Sequence, residues 1–165
     1  RAHRPAPSEV ITTLAPLAPE FERAGVTLAI ENHDRFKAAT LREIVTQIGS
    51  RHVGICFDTA NSFGCLEGPE QVLETLGPHI VNFHVKDVCV FRPPHHKGFI
   101  IEGRPAGQGQ LDIPDLLKRL TGFGVHPNVI LELWPPPQAT VPTAIEVEDD
   151  WARQSIQFLR QLISD

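Results

Sequence analysis

The stretch Val53–Asn61, V-G-I-C-F-D-T-A-N, decides the fold. Its apolar run, Val53–Phe57, is too short for the core of a helix and suits a buried strand, with the carboxylate of Asp58 just past its end. Working outward, the arrangement recurs three times: Val26–Ile30 is followed by Glu31, Ile80–Phe83 by His84 and Val129–Leu131 by Glu132. A buried strand ending in a polar residue carries that group to one rim of a parallel sheet, where α/β folds keep their chemistry. Three carboxylates and an imidazole gathered there repel one another unless a cation joins them. Two Glu, one Asp and one His make an oxygen-rich nest for a divalent ion, closer to what Mn²⁺, Mg²⁺ or Co²⁺ takes than to a structural zinc site.

The segments between the runs read as helices. Ser8–Ala24 has an apolar stripe, with Ser8 as N-cap, Pro16 and Pro19 as bends and Gly25 as its stop. Thr40–Glu43, T-L-R-E, reads as a capping box for a helix running to Ile48 and closed by Gly49. Pro69–Leu76 is the third helix, stopped at Gly77-Pro78, and Asp112 caps a fourth at Ile113–Leu120. A long loop rich in Pro, Gly and His is expected from Val88 to Gln110. A proline-rich loop, Pro135–Pro142, precedes a last helix at Val147–Leu162 with Trp151, Ile156, Phe158, Leu159 and Leu162 as its stripe.

The candidate ligands are 27, 26 and 48 residues apart. The first two gaps fit one βα unit each. The third is longer by about the length of the Val88–Gln110 loop, and so long a loop in a compact domain is usually functional. The expected fold is therefore α/β, four βα units of a (β/α)8 TIM barrel, which needs ~250 residues to close. With 165 residues, a start at Arg1 and no Met, the chain is expected to hold the C-terminal half of a single barrel domain over residues 1–165, barrel strands 5–8, with sequence upstream of it.

Composition excludes several classes. Hydrophobic residues make up 41% and charged residues 21%, as in ordinary globular proteins. A net charge of −5 gives no footprint for nucleic acid. No apolar run is long enough for a membrane span, and the opening R-A-H-R-P-A-P-S-E-V is not a signal peptide. Cys56, Cys65 and Cys89 have no metal-type spacing and read as free thiols in a reducing cytoplasm.

Around the four ligands stand candidates for substrate contact. His33 in I-E-N-H-D and Asn61 in F-D-T-A-N lie close in sequence to Glu31 and Asp58. Lys86 in F-H-V-K-D shares a strand face with His84 and offers a cation for a substrate oxygen, whereas Asp87 points away in a structural role. Gly103–Asp112, G-R-P-A-G-Q-G-Q-L-D, lacks the context of a nucleotide loop and reads as a lid or wall, with Arg104 as an anion or hydroxyl clamp. His95 and His96 read as exposed loop residues, and Trp134 as the floor of a sugar site or as rim packing.

The motifs I-E-N-H, F-D-T-A-N-S, F-H-V-K-D, G-R-P-A-G-Q-G-Q-L-D and L-E-L-W together resemble the sugar isomerase/epimerase superfamily of xylose-isomerase-like TIM barrels, nearest the ketose 3-epimerases related to D-tagatose epimerase. The resemblance implies one Mn²⁺-like ion (Mg²⁺, Co²⁺ or Zn²⁺ as alternatives) held by Glu31, Asp58, His84 and Glu132. It also implies Glu31 and Glu132 as the proton-moving pair, Arg104 near the substrate, a small sugar as partner, and a family that often dimerises. Those epimerases commonly carry His where Asn61 stands here, and the H-V-K-D segment is similar to the inosose dehydratase branch. The expected reaction is isomerisation or epimerisation of a ketose or related sugar, phosphorylated or not, by glutamate-mediated proton transfer through a metal-stabilised enediolate. Dehydration on the same metal site and non-catalytic metal or sugar binding are the rival readings.

Overall fold

A computed structural model describes residues 4–163, so Arg1–His3 of the opening stretch and the last two residues lie outside it. Four parallel strands form one sheet: β1 (Leu28–Glu31), β2 (Val53–Asp58), β3 (Ile80–Val85) and, last in the row, β6 (Asn128–Leu131). They pair in chain order, with no reversal of the kind that makes a doubly wound sheet. Winding in one direction with helices on one face is how a β/α barrel is built. Helices α3 (Ala38–Ile48), α4 (Pro69–Leu76) and α5 (Ile113–Gly122) supply that outer layer. They bury Leu41, Ile44 and Val45, then Val72, Leu73 and Leu76, then Ile113, Leu116 and Leu120, each set at helical spacing. Strand residues of one parity, Ile55, Phe57, Phe83 and Val85, meet them, and Phe57 packs edge-on to Phe83 at 5.3 Å between centroids.

Residues of the other parity face the opposite side, and an irregularity brings them level. The β2–β3 register shifts between Ile55 and Cys56, so that Ile55 lies opposite Ile80 but Asp58 lies opposite His84. Without the shift Asp58 would stand beside Phe83, whose side chain belongs to the core. Gly54 allows the close approach: a Cβ there would meet Val81 Cγ1 at 2.7 Å and the His79 carbonyl oxygen at 2.8 Å. Gly54→Ala is expected to destabilise the fold by about 1–3 kcal/mol, read from the denaturant midpoint.

Three helix starts differ from the sequence expectation. The first helical segment splits, as its prolines predict, into α1 (Pro7–Leu14), a 3₁₀ turn (Ala15–Leu17) and α2 (Ala18–Ala24). Its N-cap is Ala6 rather than Ser8, and Glu9 accepts the Ala6 N–H at 2.6 Å. The Thr40–Glu43 capping box does not form, because α3 already begins at Ala38 and Thr40 lies inside it. A distant residue does the capping: the buried Glu67 carboxylate accepts the Ala38 N–H at 2.8 Å. The last helix, α6 (Val141–Leu159), starts six residues earlier than Val147, with Thr140 as N-cap and Pro142 tolerated in the first turn. Of its expected stripe, Leu159 is buried and Phe158 packs on the core, whereas Ile156 and Leu162 are exposed.

The Val88–Gln110 segment is not the open loop expected from its Pro, Gly and His content. It holds an antiparallel hairpin, β4 (Asp87–Phe91) with β5 (Ile100–Arg104), and its V-C-V-F run supplies the first strand. Among the described residues no helix is long and apolar enough to cross a membrane. Cys56, Cys65 and Cys89 are free thiols.

Candidate metal centre

Glu31 closes β1, Asp58 closes β2, His84 lies in β3, and Glu132 follows β6 directly. Parallel pairing in chain order puts all four on one rim. One ligand atom from each lies within 4.8 Å of the others. The sequence placed these residues on a shared rim; the register of the sheet makes them converge.

Neighbouring side chains fix the candidate ligands. Asn32, fully buried, accepts the Asp58 backbone N–H at 2.7 Å and donates to the Asp58 carbonyl at 2.9 Å, extending the β1–β2 ladder by one side chain. Asp58 Oδ1 accepts the N–H groups of Ala60 and Asn61, each at 2.8 Å. Thr59 repeats the device one strand on: its hydroxyl accepts the Lys86 N–H at 2.9 Å and donates to the Lys86 carbonyl at 2.5 Å. No periodicity in the sequence marks Asn32 or Thr59 for these tasks.

Lys86 enters the cluster itself. Its ammonium lies 2.7 Å from Glu132 Oε1, 3.1 Å from Asp58 Oδ2 and 3.1 Å from Asn61 Oδ1. Burial alone would lower its pKa, but the Glu132 and Asp58 carboxylates outweigh that and hold it above the ordinary lysine value. Burial likewise works to raise Glu132, and is outweighed by Lys86 and by His84, whose Nδ1 lies 3.0 Å from Glu132 Oε2. Glu132 therefore sits below the usual carboxylate range and is ionised at neutral pH. Asn61 bridges the two sides, donating to Glu31 Oε1 at 2.6 Å while accepting from Lys86.

Three more residues expected to meet a substrate have local partners. His33 is exposed and paired with its neighbour Asp34 at 2.7 Å. Arg104 is held by Glu102 and by the Gly103 carbonyl at 2.7 Å. Trp134 is 50% exposed, with the Lys86 ammonium 5.4 Å from its ring centroid, so it borders the site at its open side.

Beneath the ligands lies a tier the sequence did not suggest. Cys56 forms a second group with Glu31 and His84. Burial, with the Glu31 charge adding to it, pushes its thiol up to about 12, so it stays protonated. Asn82 shares the face of His84 two residues on; its amide nitrogen lies 3.5 Å from Cys56 Sγ and 3.3 Å from His84 Nε2. Asn82 Oδ1 is buried without a partner. A ligating imidazole usually hands its second N–H to an outer acceptor, and a turn of the Asn82 amide would supply one.

The residues fit a divalent cation. Asp58 Oδ2 is buried and receives no hydrogen bond, since Lys86 approaches it as a charge without hydrogen-bond alignment. A buried carboxylate oxygen left in that state, with a glutamate, an imidazole and a second glutamate within 4.8 Å, has the chemistry of a ligand atom.

The family model described as xylose isomerase-like TIM barrel matches residues 6–162. The 3-oxo-isoapionate decarboxylase of Pectobacterium atrosepticum is 32% identical over 157 residues, which are 95% of this chain and 57% of that protein. A solved D-psicose 3-epimerase with D-tagatose, from Clostridium cellulolyticum H10, superposes with a TM-score of 0.68 at 17% identity, over 94% of this chain and 55% of its own. The IOLI protein with a bound zinc atom superposes at 0.65 and 21% identity, over 99% of this chain and 61% of its own. At these identities the two solved structures show the fold alone. The chain spans little more than half the length of these three proteins.

Proposed function

Since the chain belongs to the xylose-isomerase-like TIM-barrel family, we propose that it forms the C-terminal four βα units of one barrel and contributes the metal centre of a sugar isomerase or epimerase. The observation that carries the reading is the convergence of Glu31, Asp58, His84 and Glu132 around an Asp58 oxygen with no hydrogen bond. One divalent ion, Mn²⁺ first among them, suits that mostly oxygen set. When bound, it would draw charge from a substrate carbonyl and so acidify the neighbouring C–H.

The chain's own residues supply the rest. Glu31 ends one outer strand of the row and Glu132 follows the other. Glu132, an ionised carboxylate, would take the substrate proton, and Glu31, hydrogen-bonded by Asn61, would give back one that it carries at the start, with exchange against solvent resetting the pair. Return to the same carbon on its other face gives an epimer; return to the adjacent carbon gives an isomer. Trp134 offers a flat surface beside the centre for a sugar ring or chain.

The test is exchange of a substrate C–H with solvent deuterium, followed by NMR over a panel of ketoses with Mn²⁺. Exchange that needs the ion and yields an epimer or isomer supports the reading. Binding of sugar without exchange identifies a binding module, and loss of water identifies a dehydratase. A second reading, favoured by the buried Lys86 ammonium, is loss of CO₂ from an oxo sugar acid, the class of reaction in the name of the Pectobacterium relative.

A further inference from the structure

We infer that the centre takes a substrate bearing a carboxylate, an oxo sugar acid in preference to a neutral ketose, and that Lys86 is the residue that receives it. The inference rests on the metal-assisted reading above and narrows its substrate.

Charge is the first argument. Glu31, Asp58 and Glu132 bring three negative charges into a cluster whose ligand atoms lie within 4.8 Å. A divalent ion offsets two of them. Without another cation the loaded centre would keep a net negative charge and repel an acid. Lys86 supplies the third positive charge inside the cluster, 2.7 Å from Glu132 and 3.1 Å from Asp58. A neutral ketose meets that charge only as its enediolate forms, whereas a carboxylate draws on it already on binding.

Position is the second. The Lys86 side chain is only 6% exposed, yet its ammonium lies 5.4 Å from the ring centroid of Trp134, which is half open to solvent. Lys86 thus spans from the ligand cluster to the open side of the site. Its backbone is clamped on both N–H and carbonyl by the Thr59 hydroxyl, so the stem starts from a fixed point. Its ammonium donates a hydrogen bond to Asn61 and forms ion pairs with Asp58 and Glu132. Asp58 and Glu132 are also the ligands an ion would claim. An ammonium whose counter-charges are claimed by an ion, on a side chain only 6% exposed, needs a new partner, and a carboxylate is the strongest available.

The test compares two probes that differ only in the group in question: hydroxypyruvate, which has a carboxylate, and dihydroxyacetone, which has a hydroxymethyl group in its place. Each is titrated calorimetrically into the Mn²⁺-loaded protein. The wild type is expected to bind hydroxypyruvate tighter by about 30-fold or more, the scale of a desolvated charge pair. Lys86→Met is expected to remove the difference while binding Mn²⁺ as well as before or better, since a competing cation is gone. Lys86→Arg, which keeps the charge, should retain part of the preference. Equal binding of the two probes by the wild type, a measurement that needs no variant, would overturn the inference and leave the metal reading standing. So would a preference that survives in Lys86→Met, or loss of Mn²⁺ binding in that variant, which would make Lys86 a prop for the ligands. A wild type that binds no Mn²⁺ would overturn the metal reading and this inference with it.

Discussion

Glu132→Gln is expected to yield a folded protein whose turnover is lower by about 10²–10⁴-fold, the usual contribution of a positioned proton-transfer group. The substitution keeps shape and removes the charge. At its site that charge is the acceptor for Lys86 at 2.7 Å and for His84 at 3.0 Å, and both interactions hold the carboxyl below its ordinary range. A glutamine turns an N–H toward one of two donors. Stability should change little, because the Glu132 side chain is 39% exposed and Lys86 keeps Asp58 as a counter-charge. Turnover on the sugar that shows deuterium exchange, taken beside a thermal melt, separates the two effects. Normal turnover with an unchanged melt would falsify the assignment of Glu132 to the chemistry.

The second large effect falls away from the centre. Asp87 is buried, and its carboxylate accepts four backbone N–H groups: Val88 at 2.9 Å and Leu111 at 3.3 Å on Oδ1, Gly107 and Gly109 each at 2.9 Å on Oδ2. It therefore ties the glycine-rich segment after the hairpin to the start of β4. Gly109 must lack a side chain here, since its Cβ would come within 2.0 Å of Asp87 Oδ1. Asp87→Ala leaves four donors without their acceptor and is expected to cost about 3–5 kcal/mol, measured by denaturant unfolding. Asp87→Asn should cost nearly as much. Both carboxylate oxygens are in use, so either orientation of an amide sets its NH₂ against two N–H donors. An asparagine variant as stable as the wild type would mean that the glycine-rich segment is held by packing alone.

These two residues mark how far local pattern along the chain foretells the structure. Glu132 was legible because it follows a short apolar run, as Glu31, Asp58 and His84 do, and because such runs become strands whatever surrounds them. Asp87 was read as structural from strand parity, but the four N–H groups it collects come partly from residues 20 or more positions away. The hairpin leaves little signal along the chain, because prolines, glycines and histidines fill its tip and conceal two five-residue strands. The capping box at Thr40–Glu43 failed for a related reason: Glu67, 29 residues from Ala38, satisfies the donor that a local cap would have taken.

Local periodicity determined the four strands, the helices between them and the residues at the strand ends, because backbone geometry sends alternate side chains to opposite faces wherever a strand forms. Tertiary structure alone decided that Asp58 stands level with His84, since that depends on a one-residue shift between two strands. It alone set Lys86 among the carboxylates, turned His33 out to solvent and gave Arg104 to Glu102. A side chain's face is fixed by its own strand; the company it keeps depends on how strands far apart in sequence register against each other, and no pattern along the chain records that.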